Sequence, residues 1–194
     1  MKIHYNAPVI LTFTLAALAA RLLGSLTNEA TTYFFFTLQP DASLFNPMTW
    51  IRMFTHIIGH ADWNHLLGNF SLILLIGPLL EEKYGSKSMA FMITTTAVVT
   101  ALLHTFFFTG GLLGASGIVF MLILLGSFAN IKQGHIPLTF ILIVILYLGK
   151  EFIYSFSYDN ISQFAHIIGG IVGSGFGFRG AKDTLKASTP NASY

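Results

Sequence analysis

A serine between small residues is the strongest chemical signal in this 194-residue sequence. Ser116 stands in Gly114-Ala115-Ser116-Gly117, where an apolar segment begins. A substrate backbone can approach such a hydroxyl closely, and a helix that begins there directs unpaired N–H groups and the positive end of its dipole outward. The stretch therefore predicts a nucleophile beside an oxyanion site. The alternative is packing, because membrane helices also use small residues where they cross.

Two further polar groups stand at the start of another apolar segment. Asp62 is a predicted N-cap, so His65 falls in the first helical turn and Asn69 lies one turn later on the same face. Both side chains can donate hydrogen bonds to a developing oxyanion. A satisfied hydrogen bond between helices is the structural alternative. We expect His65, Asn69 and the Ser116 N–H to form the oxyanion site.

A histidine that shares a helical face with glycines offers a general base. His166 is followed by Gly169 and Gly173 on one face, so a neighbouring helix can come close enough for contact with the imidazole. His166 would then remove the Ser116 hydroxyl proton and later protonate the leaving amine. Neither helix carries an Asp or Glu that could complete a triad. Phe120, one turn beyond the serine, is expected to orient the imidazole by stacking.

Long apolar segments must position these groups. Hydrophobic residues make up 54% of the chain and charged residues 9%, against about 25% charged in soluble domains, which predicts an integral membrane protein. The absence of cysteine excludes disulfides and thiolate chemistry. We expect one membrane domain over 1–180, a first loop at 27–62 with short interfacial helices, and a cytoplasmic tail at 181–194. Hydropathy predicts six helical spans at 8–26, 63–82, 88–109, 115–131, 136–155 and 162–180.

The basic residues predict how the spans are oriented. An even number of spans places both termini on one side of the membrane. Only Arg21, Arg52 and Lys150 lie toward the other side. The positive-inside rule therefore predicts cytoplasmic termini. The second, fourth and sixth spans then all begin at the outer face, which puts their polar residues at a similar depth. The basic residues on the side of the termini are Lys2, Lys83, Lys87, Lys132, Arg179, Lys182 and Lys186.

These motifs together resemble those of the bacterial rhomboid intramembrane serine proteases. The matching stretches are residues 60–69, Gly114 to Gly117, and Ala165-His166-x-x-Gly169-x-x-x-Gly173, in family order. The resemblance implies an all-α bundle of six transmembrane helices, a Ser116–His166 dyad, and hydrolysis of peptide bonds near the outer end of single-span membrane substrates.

The resemblance also implies a bacterial inner-membrane protein whose active site opens toward the periplasm. Its expected partners are transmembrane substrates and membrane lipid, with no cofactor. The small and scattered net charge of +2 gives no reason to expect nucleic acid. Two positions depart from the family pattern: Phe120 stands where tyrosine is common, and the usual Trp-Arg pair is split as Trp50-Ile51-Arg52.

The sequence is also compatible with other functions. His56, His60 and His65 could bind a metal, although no His-Glu-x-x-His motif occurs. A polytopic transporter is a second alternative, although the chain shows no internal repeat. His104 competes with His166 as the base because its predicted depth is similar. Glu81 is expected at a solvated helix end, and the family resemblance implies a structural role for it.

Overall fold

The computed structural model of the chain describes residues 4–129, 138, 141–142, 145–146 and 167–177. Within these residues the structure is helical, with one isolated antiparallel bridge between Leu38 and Leu112. The described part thus has the predicted all-α architecture. Its helices are α1 (Pro8–Leu26), α2 (Ala30–Phe36), α3 (Pro47–Thr55), α4 (Trp63–Tyr84), α5 (Ser86–Phe107), α6 (Ser116–Ala129) and the helix Ile167–Gly177.

Three of these helices, α1, α4 and α5, are long and apolar enough to cross a membrane. They contain 19, 22 and 22 residues and correspond to the first three predicted spans. The fourth predicted span corresponds to α6, which is 14 residues long. Most of the fifth predicted span and the ends of the sixth lie outside the described residues. The number of six spans therefore stays a prediction.

Glu81 joins the start of α1 to the far end of α4. Its carboxylate accepts hydrogen bonds from the Val9 N–H (3.0 Å) and the Ile10 N–H (2.9 Å). These N–H groups have no partner inside their own helix, because they belong to its first turn. Glu81 is buried, with 3% of its surface exposed, so the expectation of a solvated helix end was wrong. The side chain caps α1 from a neighbouring helix instead.

Helix α6 lies at the centre of the bundle. Every residue from 118 to 125 is buried, so the helix is covered on all sides rather than along one stripe. A helix that is apolar all round is suited to this position. α6 packs against α4 and α5, and Ser116 is its first residue. Its starting point therefore fixes where the serine lies in the bundle.

The segment 27–62 contains the short helices expected there. Asn46 caps α3, its side-chain oxygen accepting the Met48 N–H at 2.9 Å. Several large apolar side chains of this segment are exposed, among them Phe45 at 99% and Trp50 at 46%. Exposed apolar and aromatic groups suit the membrane interface, which is where we predict this segment to lie.

Candidate active site

Ser116 begins α6 directly after a sharp turn. Gly114 has φ +115°, a backbone conformation that side chains with a Cβ rarely adopt. Its N–H donates to the His56 carbonyl oxygen at 2.8 Å, which ties the turn to the loop before α4. Ala115 is fully buried and Ser116 is half-buried. The serine therefore stands at a helix N-terminus on an anchored turn.

His65 lies against this turn. Asp62 caps α4 as predicted, its carboxylate accepting the His65 N–H at 2.7 Å. A Cβ placed on Gly114 would lie 2.6 Å from His65 Cε1 and 2.8 Å from His65 Nε2. The imidazole thus occupies the space that the missing side chain leaves. The structure brings together His65 and the residues just before Ser116, although they are far apart in the sequence.

Asn69 is linked to the same turn through His60. The Asn69 Nδ2 amide donates to His60 Nε2 at 3.1 Å, and the Ala115 N–H approaches the same nitrogen at 3.4 Å. His60 Nδ1 lies 3.1 Å from the Ile58 carbonyl oxygen, which can only accept, so Nδ1 carries the proton. His60 Nε2 is therefore the acceptor for both donors.

The environment of His60 keeps it neutral. Its side chain is 1% exposed, and burial lowers the pKa of His60 to about 4 from an ordinary value of 6.5. The neighbouring His65 ring, whose centroid is 4.9 Å away, lowers the pKa of His60 further. A neutral imidazole keeps a lone pair on Nε2 at pH 7. From the sequence, His60 is only part of a motif and a possible metal ligand, because the groups that it contacts are distant in the chain.

Glycines allow the helix Ile167–Gly177 to pack directly on α6. A Cβ on Gly169 would overlap the carbonyl oxygen of Gly117, and a Cβ on Gly173 would lie 2.6 Å from the carbonyl oxygen of Met121. A Cβ on Gly170 would lie 2.5 Å from the Phe120 ring. The close approach predicted from the glycines is present. His166, the predicted base, lies outside the described residues.

The sequence of this chain is similar to those of known proteins. The family model described as the Rhomboid domain matches residues 47–182, more than half of the chain. The chain belongs to the rhomboid family. Over 135 residues this rhomboid protein is 25% identical to the Rhomboid protease GlpG of Haemophilus influenzae, and the match covers 68% of this chain and 70% of that relative.

Two further histidines of this rhomboid protein, His56 and His104, contact backbone carbonyl groups. His56 Nδ1 lies 3.2 Å from the Arg52 oxygen and 3.1 Å from the Met53 oxygen, and burial lowers the pKa of His56 to about 4. His104 is buried, and its Nε2 donates to the Gly110 oxygen at 2.8 Å. His104, the rival base, thus anchors the link between α5 and α6.

The metal-site alternative gains no support from the described part of this rhomboid protein. Within residues 4–129 and the shorter described segments, no three His, Asp or Glu side chains are grouped so that they could hold an ion. His60 uses both ring nitrogens for protein contacts. His56 directs its Nδ1 at carbonyl oxygens of its own helix. His56, His60 and His104 are instead part of the local hydrogen bonding.

Proposed function

We propose that this rhomboid protein is an intramembrane serine protease. It hydrolyses a peptide bond in or near the outer end of transmembrane helices in membrane-protein substrates. The observation that carries the proposal is the contact of the His65 ring with Gly114, next to Ser116 at the start of α6. Ser116 and the first N–H groups of α6 therefore lie near an imidazole, an arrangement that suits acyl transfer. The relative from Haemophilus influenzae is itself named a protease.

In the proposed mechanism Ser116 is the nucleophile and His166 the general base. The Ser116 Oγ attacks the scissile carbonyl carbon while His166 takes the hydroxyl proton, and His166 then protonates the leaving amine. A water molecule, deprotonated by the same imidazole, then hydrolyses the acyl-enzyme. The packing of Gly169 on Gly117 supports this pairing, because Gly117 follows the serine and Gly169 is three residues beyond the histidine. Phe120, which contacts Gly170, is proposed to support the imidazole.

The oxyanion of the tetrahedral intermediate is proposed to be held by His65, Asn69 and the Ser116 N–H. Asn69 is 8% exposed, and one N–H of its amide is used by His60, which leaves a second N–H for the substrate oxygen. Donors fixed in a water-poor site stabilise a developing charge by about 3 kcal/mol each. Because His60 orients Asn69 and approaches the Ala115 N–H, the donors are held before substrate binds.

The test is cleavage of a labelled single-span substrate by purified protein in lipid. Ser116→Ala and His166→Ala are expected to abolish cleavage while the thermal unfolding temperature stays near that of the wild type. Ser127→Ala is the matched control, because Ser127 lies in the same helix and its hydroxyl donates to the Ile123 carbonyl oxygen of that helix. Full activity of the His166 variant together with an inactive His104→Ala variant would assign the base to His104 instead.

We also propose that the protein lies in a bacterial inner membrane with cytoplasmic termini, a single membrane domain over 1–180 and a tail over 181–194. The chain has no cysteine, so one introduced thiol can report its side of the membrane without background. Ser43→Cys, in the exposed loop between α2 and α3, should react with an impermeant maleimide added outside spheroplasts. Ser88→Cys, at the opposite end of the bundle, should react only after lysis. The reverse pattern would invert the proposed topology.

A further inference from the structure

A buried arginine in α1 contacts the turn that precedes α4. Arg21 is 4% exposed, and its Nη1 donates to the carbonyl oxygens of His60 and Ala61, each at 2.8 Å. These two carbonyls belong to residues 59–62, which we call the 59–62 turn. The guanidinium carbon also lies 6.0 Å from the ring centroid of Trp63, the first residue of α4. One side chain therefore holds two successive peptide groups.

The arginine is itself held in place. Its Nη2 forms an ion pair with Glu29 and donates to the Ser25 hydroxyl at 3.1 Å. Glu29 adopts φ +67° and its neighbour Asn28 adopts φ +48°, conformations that cost free energy for residues other than glycine. Hydrogen bonding to Arg21 lowers the pKa of the Glu29 carboxyl, so the pair is charged at neutral pH. The bend after α1 thus brings the carboxylate to the guanidinium.

The 59–62 turn is fixed from a second side. A Cβ on Gly59 would lie 2.6 Å from the Phe36 Cβ and 2.7 Å from the Phe36 carbonyl oxygen, so the turn packs against the end of α2. His60 can therefore keep its ring directed at Asn69 and Ala115 only while the peptide planes of the turn keep their orientation. Arg21 binds the oxygens that define two of those planes.

We propose that Arg21 is a positioning residue that holds the 59–62 turn, so that His60 aligns the Asn69 amide and the Ala115 N–H beside Ser116. The proposal rests on the protease function proposed above. Arg21 lies outside residues 47–182, which match the family model, whereas the turn that it contacts lies inside them. An arginine suits the role because Nη1 binds both carbonyl oxygens while Nη2 binds Glu29 and Ser25, whereas a lysine has one nitrogen for all of these acceptors.

Amide hydrogen exchange tests the proposal without relying on activity. Arg21→Gln is expected to speed exchange in residues 59–65 and also in residues 113–117, which Arg21 does not touch. Arg52→Gln is the matched control, because Arg52 is also buried but donates to the Phe34 carbonyl oxygen in α2. It should speed exchange near Phe34 and leave residues 113–117 unchanged. Unchanged exchange in residues 113–117 of Arg21→Gln would overturn the proposal.

Kinetics supply the second test. Arg21→Gln is expected to lower kcat by about 100-fold, the cost of a misplacement of about 1 Å, with little change in KM. Arg21→Lys keeps a donor and should fall between this variant and the wild type. The kcat losses of Arg21→Gln and His60→Asn should not multiply in the double variant, because both act through one turn.

If the kcat losses of Arg21→Gln and His60→Asn multiply in the double variant, Arg21 does not act through His60 and the proposal is refuted. Absence of any cleavage by the wild-type protein would instead refute the protease function, and the exchange data would still decide whether Arg21 holds the turn.

Discussion

Replacement of Gly114 by alanine is the sharpest test of the geometry beside Ser116. The added Cβ would lie 2.6 Å from His65 Cε1 and 2.8 Å from His65 Nε2. Because non-bonded carbon atoms pack at about 3.5 to 4.0 Å, the imidazole must move by about 1 Å. A displacement of about 1 Å in a positioned group lowers a rate by about 100-fold. Removal of one oxyanion donor lowers kcat by about 100-fold or more. We expect kcat of Gly114→Ala to fall by that factor.

The substitution also strains the backbone, and the assay must separate the two effects. At φ +115° an alanine costs about 1 to 3 kcal/mol, so the thermal unfolding temperature should fall as well. Kinetics are therefore measured with a labelled single-span substrate at a temperature where the variant is folded. The control is Gly68→Ala in α4, where a Cβ meets nothing within 4 Å. Alanine is the better helix former, so this control should be active and no less stable.

A double variant shows whether the loss runs through the imidazole. If Gly114→Ala acts by displacing His65, then Gly114→Ala combined with His65→Ala should be no slower than His65→Ala alone. If the kcat losses of Gly114→Ala and His65→Ala multiply, the substitution at Gly114 acts by a route other than His65. If the folded Gly114→Ala variant has the kcat of the wild type, the reasoning is refuted, because the His65 imidazole can then move without loss of activity.

Three further outcomes are expected. The Cβ of Gly169→Ala would overlap the Gly117 carbonyl oxygen, so this variant should separate the helix Ile167–Gly177 from α6 and lower both cleavage and the unfolding temperature. Gly175→Ala, whose Cβ meets nothing within 4 Å, should change neither. Glu81→Gln replaces one of the two accepting oxygens with an amide donor, which then faces an N–H group of α1. It should lower stability by about 1 to 3 kcal/mol in thermal denaturation, with cleavage by the folded fraction retained. The pKa of His60 is about 4 in the folded protein and 6.5 in the unfolded chain, so between these two pH values the unfolded chain binds one more proton. The free energy of unfolding should therefore fall as the pH drops from 6.5 to 4, and it should fall less in His60→Asn.

The helix boundaries followed from local signals in the sequence. α1 has the bounds predicted for the first span, because Pro8 stands at its first turn and the apolar run ends at Leu26. α4 begins at the predicted residue because Asp62 caps it. The start of α5 differed by two residues, since the chain turns at Gly85 alone, with φ +82°, and needs no longer loop. Caps and breakers act within a few residues, which is why sequence reasoning could find them.

The contacts of the site were only partly predictable. Spacing alone put His65 and Asn69 on one helical face, and the glycines after His166 predicted a close helix contact. Residue spacing could not reveal that His60 accepts a hydrogen bond from Asn69 and lies near the Ala115 N–H, because these partners are 9 and 55 residues away. Glu81 was misjudged for the same reason: its partners in α1 are more than 70 residues away. Hydrogen bonds between distant segments leave no periodic signal.

The 59–62 turn explains why a membrane protein keeps a buried charge in its first helix. A turn between apolar helices exposes carbonyl oxygens that lipid cannot satisfy, so the protein itself must supply the donors. Arg21 supplies two hydrogen bonds from one nitrogen, and Glu29 balances its charge. The same turn carries His60, so in our proposal the group that satisfies the backbone also positions an imidazole beside the proposed nucleophile. A neutral amide could donate to both carbonyls, but it could not also form the ion pair with Glu29 that holds the side chain in place. The proposed positioning role therefore accounts for the ion-paired arginine more fully than backbone satisfaction alone.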